Sequence, residues 1–529
     1  MHEILRQFSG DKLKEFPEEQ KNAQAKHGQY FCDFLANREQ GLKSKNEDAL
    51  LAEITRERSN IRAAWEWAVE HEDATGINKA CDALYLFYEI KFLAQEGEWA
   101  FSLAASKFAK PTAGETPEKK LVLAKCTARL GWYQYLQGRM DQGIEQVKKG
   151  LAMAEGLKDM KEIGQCLHFL CALYRSQAKF DLQEECAKRS LAIYNELKDE
   201  WGIAWSLYHM AQRPKQAGDT AKAQEYFLES LELFRKMEYE DGVAWTLFGL
   251  GQVSVQRQEY DDAKRFFNES AAILEKHGNK VSAGWVYTDM VRMHAHLREH
   301  ERAYQLAREA YEAFNSSGYP MGMAWALYYC SESAYNMANW EEALKSGRDA
   351  LRVFTEMSNL LGQAWVYTNL CRASNKSGQF EGGQIYGRKG VETFEKLGDR
   401  EGAGACTHNL ARSEMGMGNW AAAEKLFVQA MEWGQQMKIH WRVLENALGL
   451  AELKSKEQKN VQALLLASMV LFDRECPRDL KEDAEKVVAA LKPQVKPAEA
   501  KTIEESAKTV NTKEVAKDLV AKYRQESKT

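Results

Sequence analysis

A tryptophan recurs every forty residues through the middle of this chain, at Trp205, Trp245, Trp285, Trp325 and Trp365. A small residue, alanine or glycine, stands immediately before each ring. Self-similarity at a period of this size is typical of solenoids, in which each repeat buries its apolar face against the next repeat. The period therefore constrains the architecture more tightly than any single motif in the sequence does.

The turn inside each repeat keeps the same register as the tryptophans. The predicted turn positions are Gly138, Ala178, Gly218, Gln258, Arg298, Ala338, Gly378, Gly418 and Gln458. Each block predicts a helix of about seventeen residues, a short turn and a second helix of similar length. Pro214 falls inside a first helix, and we expect it to kink or open that helix because proline removes a backbone donor.

The second helix of each block carries a clear core pattern. Ala263, Phe267 and Ser270 are spaced i, i+4 and i+7, which places them on one stripe of a helix. Small residues on that stripe let two helices approach closely while the aromatic ring fills the remaining gap. No alternating β pattern competes with this interpretation.

These residues resemble tetratricopeptide repeats of the forty-residue type. The resemblance depends on the Leu-Gly pairs, such as Leu130-Gly131 and Leu250-Gly251, on the turn glycines and on the small residues of the second helix. It covers roughly residues 76–475 and about ten helical hairpins. It implies an all-α fold, an α-solenoid forming a right-handed superhelix whose concave surface is lined by the first helices.

The N-terminal region resembles a different family. Met1–Phe8 is similar to the end of the winged-helix domain of bacterial STAND ATPases, and Asn60–Ala68 is similar to the segment that leads into their repeats. This resemblance implies a repeat array that senses an inducer or a partner. The chain has no G-x-x-x-x-G-K-[ST] phosphate loop, so ATP hydrolysis does not follow from it.

Four regions are predicted from these patterns. Residues 1–75 form an N-terminal helical region, 76–475 the repeat superhelix and 476–491 a capping helix, and 492–529 are a flexible charged tail with at most one short helix, near Lys513–Tyr523.

Composition narrows the function classes. The net charge is −5, with 72 basic and 77 acidic residues mixed along the chain, which disfavours nucleic acid as a partner. No apolar run is long enough for a membrane span. Ten cysteines without a C-x-x-C pair, most of them at small-residue helix positions, indicate a reducing, cytoplasmic location.

Catalytic and metal motifs are missing, so we expect no enzyme, no cofactor and no metal site. His296 and His300 have an i, i+4 spacing, but His300 occupies the turn position of ordinary packing residues.

Helical geometry orients the tryptophans. With about 100° per residue, Phe248 and Gln252 lie within about 60° of Trp245, whereas the core residue Leu250 lies about 140° away. The tetratricopeptide resemblance places this face in the concave groove, where flat rings and polar groups suit a peptide, a protein segment or a small-molecule inducer. The predicted groove residues are Trp205, Tyr208, Gln212, Trp245, Phe248, Gln252, Trp285, Arg292, Trp325, Tyr328, Glu332, Trp365, Arg372, His408 and Arg412.

Two alternatives remain open from the sequence. In the first alternative, the chain is a passive protein–protein scaffold whose tryptophans only pack. In the second, it is the sensor half of a split STAND NTPase. The leading hypothesis is a non-enzymatic repeat protein with a role in signalling or regulation.

Overall fold

The computed structural model describes residue 12 and residues 15–110 and 116–526. The segment Met1–Phe8, with its winged-helix resemblance, lies outside the described residues. Regular structure in the described part is entirely helical. None of these helices combines the length and the apolar character that crossing a membrane requires.

The chain divides into two compact units, Met1–Met293 and His294–Thr529. The first unit contains α1 (Pro17–Ala36), a 3-10 turn (Gly41–Lys43), α2 (Glu47–Arg56), α3 (Arg58–Glu70), α4 (Ala74–Ile90), α5 (Ala94–Phe108), α6 (Pro117–Leu136), α7 (Met140–Leu157), α8 (Met160–Ser176), α9 (Phe180–Leu197), α10 (Glu200–Met210), α11 (Gln212–Ala217), α12 (Thr220–Lys236), α13 (Glu240–Gln256), α14 (Tyr260–Lys276) and most of α15 (Lys280–His296). The predicted region boundaries at residues 75 and 475 remain predictions.

The second unit continues the same pattern to its C-terminal helices. It contains α16 (His300–Ser316), α17 (Pro320–Asn336), α18 (Trp340–Glu356), α19 (Leu360–Lys376), α20 (Phe380–Leu397), α21 (Arg400–Gly416), α22 (Trp420–Gln436), α23 (His440–Lys456), α24 (Asn460–Phe472), α25 (Arg478–Leu491), a 3-10 turn (Lys492–Gln494), α26 (Pro497–Ala507) and α27 (Thr512–Glu526).

The predicted turn register is confirmed at every position. Each of the nine predicted turn residues has a positive φ, between 54° at Ala178 and 85° at Gly138. The hydrogen bonds are those of a left-handed helix cap: the Gln258 N–H donates to the Val255 carbonyl at 3.0 Å, and the Glu259 N–H donates to the Ser254 carbonyl at 2.8 Å.

The expected effect of Pro214 is also confirmed. The first helix of its repeat is split, because α10 ends at Met210 and α11 begins at Gln212.

Close helix packing follows from the small residues. Ala263, Phe267 and Ser270 are buried as predicted. A Cβ atom on Gly251 would lie 2.5 Å from the Phe267 ring, so only glycine fits there. The Ser270 hydroxyl donates to the carbonyl of Ala244 at 2.7 Å, tying the second helix to the residue before Trp245. The predicted all-α solenoid is thus confirmed within each unit.

The C-terminal segment differs from the predicted flexible tail. Residues 492–526 form α26 and α27, and Ala500, Ile503, Ala516 and Val520 are buried in the core of the second unit. The apolar residues fall three or four apart, so each helix has one narrow apolar face that packs. This face was not predicted, because the charged residues and the two prolines around it dominate the local composition.

Candidate functional site

The repeated tryptophans stabilise the helical hairpins. Trp325 lies on a first helix and packs edge-on against Phe354, near the end of the second helix of the same repeat, with ring centroids 5.2 Å apart. Trp365 and Phe394 repeat this geometry at 5.2 Å. Edge-to-face contacts of this kind are a favoured arrangement of aromatic rings. The tryptophans therefore recur every forty residues for a packing reason, whether or not they also bind a ligand.

The same phenylalanine rings require a glycine near the start of each first helix. A Cβ atom on Gly362 would lie 2.4 Å from the Phe354 ring, and one on Gly402 would lie 2.2 Å from Phe394. No carbon atom can approach that closely, so glycine is required for the helices to pack at this distance.

In the first unit, burial removes part of the predicted groove. Trp205 is 9% exposed, and it is covered by His168 and Trp201, with ring centroids 5.4 Å and 6.2 Å away. The predicted groove residues buried in this unit are Trp205, Tyr208, Gln212 and Phe248. A ligand cannot reach side chains that are covered in this way. Trp245, Gln252 and Trp285 are half-buried and Arg292 is exposed, and their ligand-binding role stays a prediction.

A chain of polar contacts links the first helices of this unit. Lys215 donates to the amide oxygen of Gln252 at 2.5 Å, and the amide nitrogen of Gln252 donates to Asp289 at 2.5 Å. Arg292 pairs with the same carboxylate at 3.2 Å. Burial, with Arg175 as a second cause, lowers the pKa of Lys215 to about 7. Lys215 and Asp289 were not predicted, because neither stands three, seven or eleven residues after a tryptophan, the positions from which the face was derived.

The second unit presents charged side chains at the corresponding places. Nη2 of Arg372 lies 3.5 Å from Oε1 of Glu332, and its guanidinium carbon lies 4.1 Å from the centroid of the Tyr335 ring. The Arg372 and Glu332 side chains keep 27% and 34% of their exposure. Trp325, Tyr328 and Trp365 are half-buried around them. All five predicted residues of this region therefore keep some accessible surface.

Arg412 extends this charged row by one repeat. Its Nη1 donates to Glu452 at 2.7 Å, and its Nε donates to Nε2 of His408 at 3.0 Å. Because Nε2 accepts, the proton of His408 is on Nδ1, which faces the Asn446 side-chain oxygen at 3.0 Å. His408 is buried, and burial lowers its pKa. His408 therefore orients Arg412 and is not itself accessible to a ligand.

The repeats of the first unit already hold another segment of the chain, which we call the N-terminal arm (residues 37–57). Glu39 pairs with Lys161 at 3.1 Å, and the Lys43 ammonium lies 4.8 Å from the centroid of the Trp201 ring. Further along the arm, Oε1 of Glu47 lies 3.4 Å from Nδ1 of His277. The array residues in these contacts stand near the starts of α8 and α10 and in the turn after α14. The arm thus crosses successive repeats, a long-range contact that no local sequence pattern indicates.

A buried ionic cluster lies beneath the arm. Arg129, 1% exposed, donates from Nη2 to Asp82 at 2.6 Å and from Nη1 to Glu162 at 2.8 Å. Lys125 and Lys161 also face Asp82, at 3.4 Å and 3.2 Å. These cations hold the pKa of Asp82 well below its usual value despite its burial. Each carboxylate of this cluster faces at least one cation, so the cluster serves to position α4, α6 and α8.

Comparison with known proteins identifies the repeat type. Family models of the tetratricopeptide repeat match residues 215–276 and 404–432. No curated protein sequence matches the chain.

Several solved structures are similar in fold. A STAND protein with a tetratricopeptide repeat sensor from Pyrococcus horikoshii is 14% identical with a TM-score of 0.49, over 87% of this chain and 74% of that one. The apo quorum sensor NprR from B. thuringiensis is 14% identical with a TM-score of 0.46, over 65% and 98%. A Rap protein complexed with Competence and Sporulation Factor is 13% identical with a TM-score of 0.43, over 70% and 98%. At these low identities and TM-scores, the function of this chain does not follow from its neighbours.

Proposed function

Because the chain is built from tetratricopeptide repeats, we propose that it is a non-enzymatic binding protein whose second unit holds an extended peptide or a segment of a partner protein. The proposed binding surface is the inner row of the second unit: Trp325, Tyr328, Glu332, Trp365, Arg372 and Arg412. A role in signalling or regulation and a cytoplasmic location are part of this proposal.

One contrast in exposure carries the proposal. Gln212 of the first unit is 1% exposed, whereas further along the chain charged side chains stay partly exposed at the same repeat position: 62% for Arg292 at the end of the first unit, and 27% for Arg372 and 30% for Arg412 in the second unit. Desolvating an arginine is costly unless it is paired, so charged side chains kept at an inner position of a repeat favour a ligand with complementary charge.

The chemistry of the row indicates the kind of peptide. Arg372 and Arg412 are neighbours in successive repeats, flanked by Glu332 and Glu452 at the outer ends. Arginine pairs with carboxylates through two parallel hydrogen bonds. The half-buried rings of Trp325 and Trp365 offer apolar area beside the charges. This arrangement suits a peptide with an acidic side chain at its centre and apolar side chains next to it.

The N-terminal arm supports the same binding mode. It packs along the repeats of the first unit as a series of turns followed by the helix α2, and its contacts are charged pairs and a cation over a ring. The repeats of this chain therefore accommodate a polypeptide segment through the interactions that we propose for the second unit.

Selection from a displayed library of random linear peptides tests the proposal. We expect the full chain to enrich acidic peptides, and Arg372→Ala or Arg412→Ala to weaken the binding of an enriched peptide about tenfold in fluorescence anisotropy, the loss of one charge-assisted hydrogen bond. Arg348→Ala is the matched control, because Arg348 is exposed on the second helix α18.

Two results would contradict the proposal. If no peptide is enriched, or if both arginine variants bind as tightly as the wild-type chain, the row is not a peptide-binding surface. The passive scaffold would then be favoured. Enrichment of peptides without acidic residues would contradict the predicted role of the arginines.

A further inference from the structure

A second group of charged side chains joins the N-terminal arm to the repeats of the first unit. Asp48 comes from the arm, Glu240 is the first residue of α13, and His277 follows the last residue of α14. One ligand atom from each of the three lies within 4.8 Å of the others. Nε2 of His277 is 3.0 Å from Oε2 of Glu240 and 3.3 Å from Oδ1 of Asp48.

We propose that Asp48, Glu240 and His277 bind a divalent transition-metal ion of the zinc type. Zinc bonds to nitrogen and carboxylate oxygen are about 2.0–2.1 Å long, so two ligand atoms at neighbouring corners of a tetrahedral site are about 3.3 Å apart. The two distances from the His277 nitrogen are close to this value. Three protein ligands leave the fourth position for water.

A second observation points independently to the ion. Glu47 is 2% exposed, and within the described residues no side chain donates a hydrogen bond to either of its carboxylate oxygens. Its Oε1 faces Nδ1 of the same His277, at 3.4 Å. A carboxylate behind the other ring nitrogen is the usual partner of a metal-bound histidine, because it keeps the proton on that nitrogen and the lone pair on the one that binds the metal.

The local charge also calls for a cation. The carboxylates of Asp48 and Glu240 meet here with a single lysine, Lys276, and with His277, and the carboxyl groups of Glu47 and Asp241 lie within electrostatic range. Lys276 places its ammonium 2.7 Å from Asp48 and 2.6 Å from Glu240, where a cation is needed. The Lys276 side chain is half-exposed, so it can turn into solvent when a doubly charged ion enters.

The ligand types select the metal class. Imidazole suits zinc and its transition-metal neighbours, whereas calcium and magnesium prefer sites made of oxygen alone. Since Asp48 belongs to the arm and the other two ligands to the repeats, the bound ion would hold the arm against the repeats of the first unit.

Titration calorimetry of the metal-free full chain with zinc chloride tests the site. We expect one zinc ion per chain and a higher unfolding temperature with zinc. We further expect Asp48→Asn and Glu240→Gln to weaken binding at least tenfold and Glu47→Gln to weaken it about tenfold, as loss of a supporting carboxylate does. Lys276→Met should bind zinc several-fold more tightly, because it removes the competing ammonium.

Controls separate this site from other zinc ligands of the chain. Glu53→Gln, also in the arm, and His296→Gln should bind zinc like the wild type, and circular dichroism reports whether each variant is folded. Cobalt in place of zinc should show no thiolate charge-transfer band, which excludes the cysteines as ligands.

Four results would overturn the proposal. They are no saturable zinc binding, unchanged affinity in both Asp48→Asn and Glu240→Gln, a thiolate band with cobalt, and calcium binding as tight as zinc binding.

Discussion

Gln212 and Arg372 occupy the same place in their repeats but differ in their surroundings. Gln212 is sealed in the first unit, where the neighbouring inner positions are buried and the N-terminal arm lies along the repeats. Arg372 lies in the second unit beside a tyrosine ring and a carboxylate, with part of its side chain accessible. One repeat architecture therefore supports two kinds of position: one is sealed by internal contacts, as at Gln212, and the other, as at Arg372, keeps part of a charged side chain exposed.

The largest expected effect is a loss of stability, and it can be compared between one arginine of each unit. Arg129→Met should lower the free energy of unfolding by about 3–5 kcal/mol, because it leaves Asp82 and Glu162 buried without their partner. Arg412→Met should cost about 1–2 kcal/mol, since its partner Glu452 keeps access to water. Urea unfolding followed by circular dichroism measures both changes. Equal losses would show that the two units do not differ in the way described.

The tryptophans should contribute to stability in both units. Trp325→Ala removes the edge-on contact with Phe354, and we expect a loss of about 2–3 kcal/mol for a half-buried ring. Trp420→Ala is the control: this ring is exposed, so its loss should stay within about 0.5 kcal/mol. If Trp325→Ala unfolds at the same urea concentration as Trp420→Ala, the repeated tryptophans have no packing role.

Acid should destabilise the first unit through His168. Burial lowers the pKa of His168 to about 3 from an unfolded value of 6.5, and Nδ1 of His168 lies 3.1 Å from Nε2 of the buried His209. The unfolded chain then binds the extra proton, so the stability present above pH 6.5 is lost as the pH falls toward 3. The loss is about 1.4 kcal/mol per pH unit, or about 2 kcal/mol at pH 5.

The pH profile of unfolding of a variant checks this. His168→Gln should reduce the slope of the profile between pH 6.5 and pH 5 by about 1.4 kcal/mol per pH unit and leave the contribution of the buried His209, whereas His296→Gln, at an exposed position, should leave the profile unchanged. A profile that keeps its full slope in His168→Gln would contradict the assignment.

The smallest effect concerns packing that the units share. Gly242→Ala and Gly362→Ala should each cost about 1–2 kcal/mol, because the new Cβ atoms would lie 2.5 Å from Phe234 and 2.4 Å from Phe354. Gly382→Ala meets nothing closer than 3.7 Å and should be neutral or stabilising by about 0.5–1 kcal/mol. Thermal unfolding measures all three. A loss in only one of the first two would show that the hairpins of the two units pack differently.

Local features of the fold could be predicted from sequence because they repeat. The turn positions, the Ala263–Phe267–Ser270 stripe and the break at Pro214 each depend on residues close together in the chain. The tail was not predicted, because the apolar faces of α26 and α27 are narrow and become stable only against the second unit.

The candidate site was predicted only in part, because a helical register states which residues share a face but not what covers that face. Trp205 and Trp365 have the same register, yet Trp201 and His168 cover only the first of them. In the proposed metal site, Asp48, Glu240 and His277 are brought together by the docking of the arm. No spacing in the sequence could reveal this.

The sequence by itself determined the repeat: the forty-residue period, the helical hairpins and the positions of the turns follow from local sterics and helix periodicity. Only the tertiary structure decided which inner positions stay accessible, because burial depends on contacts between residues far apart in the chain. From the sequence alone, the charged residues Arg129, Asp82 and Glu162 would be expected at the surface. The fold places them together, and mutual neutralisation is what allows them to be buried.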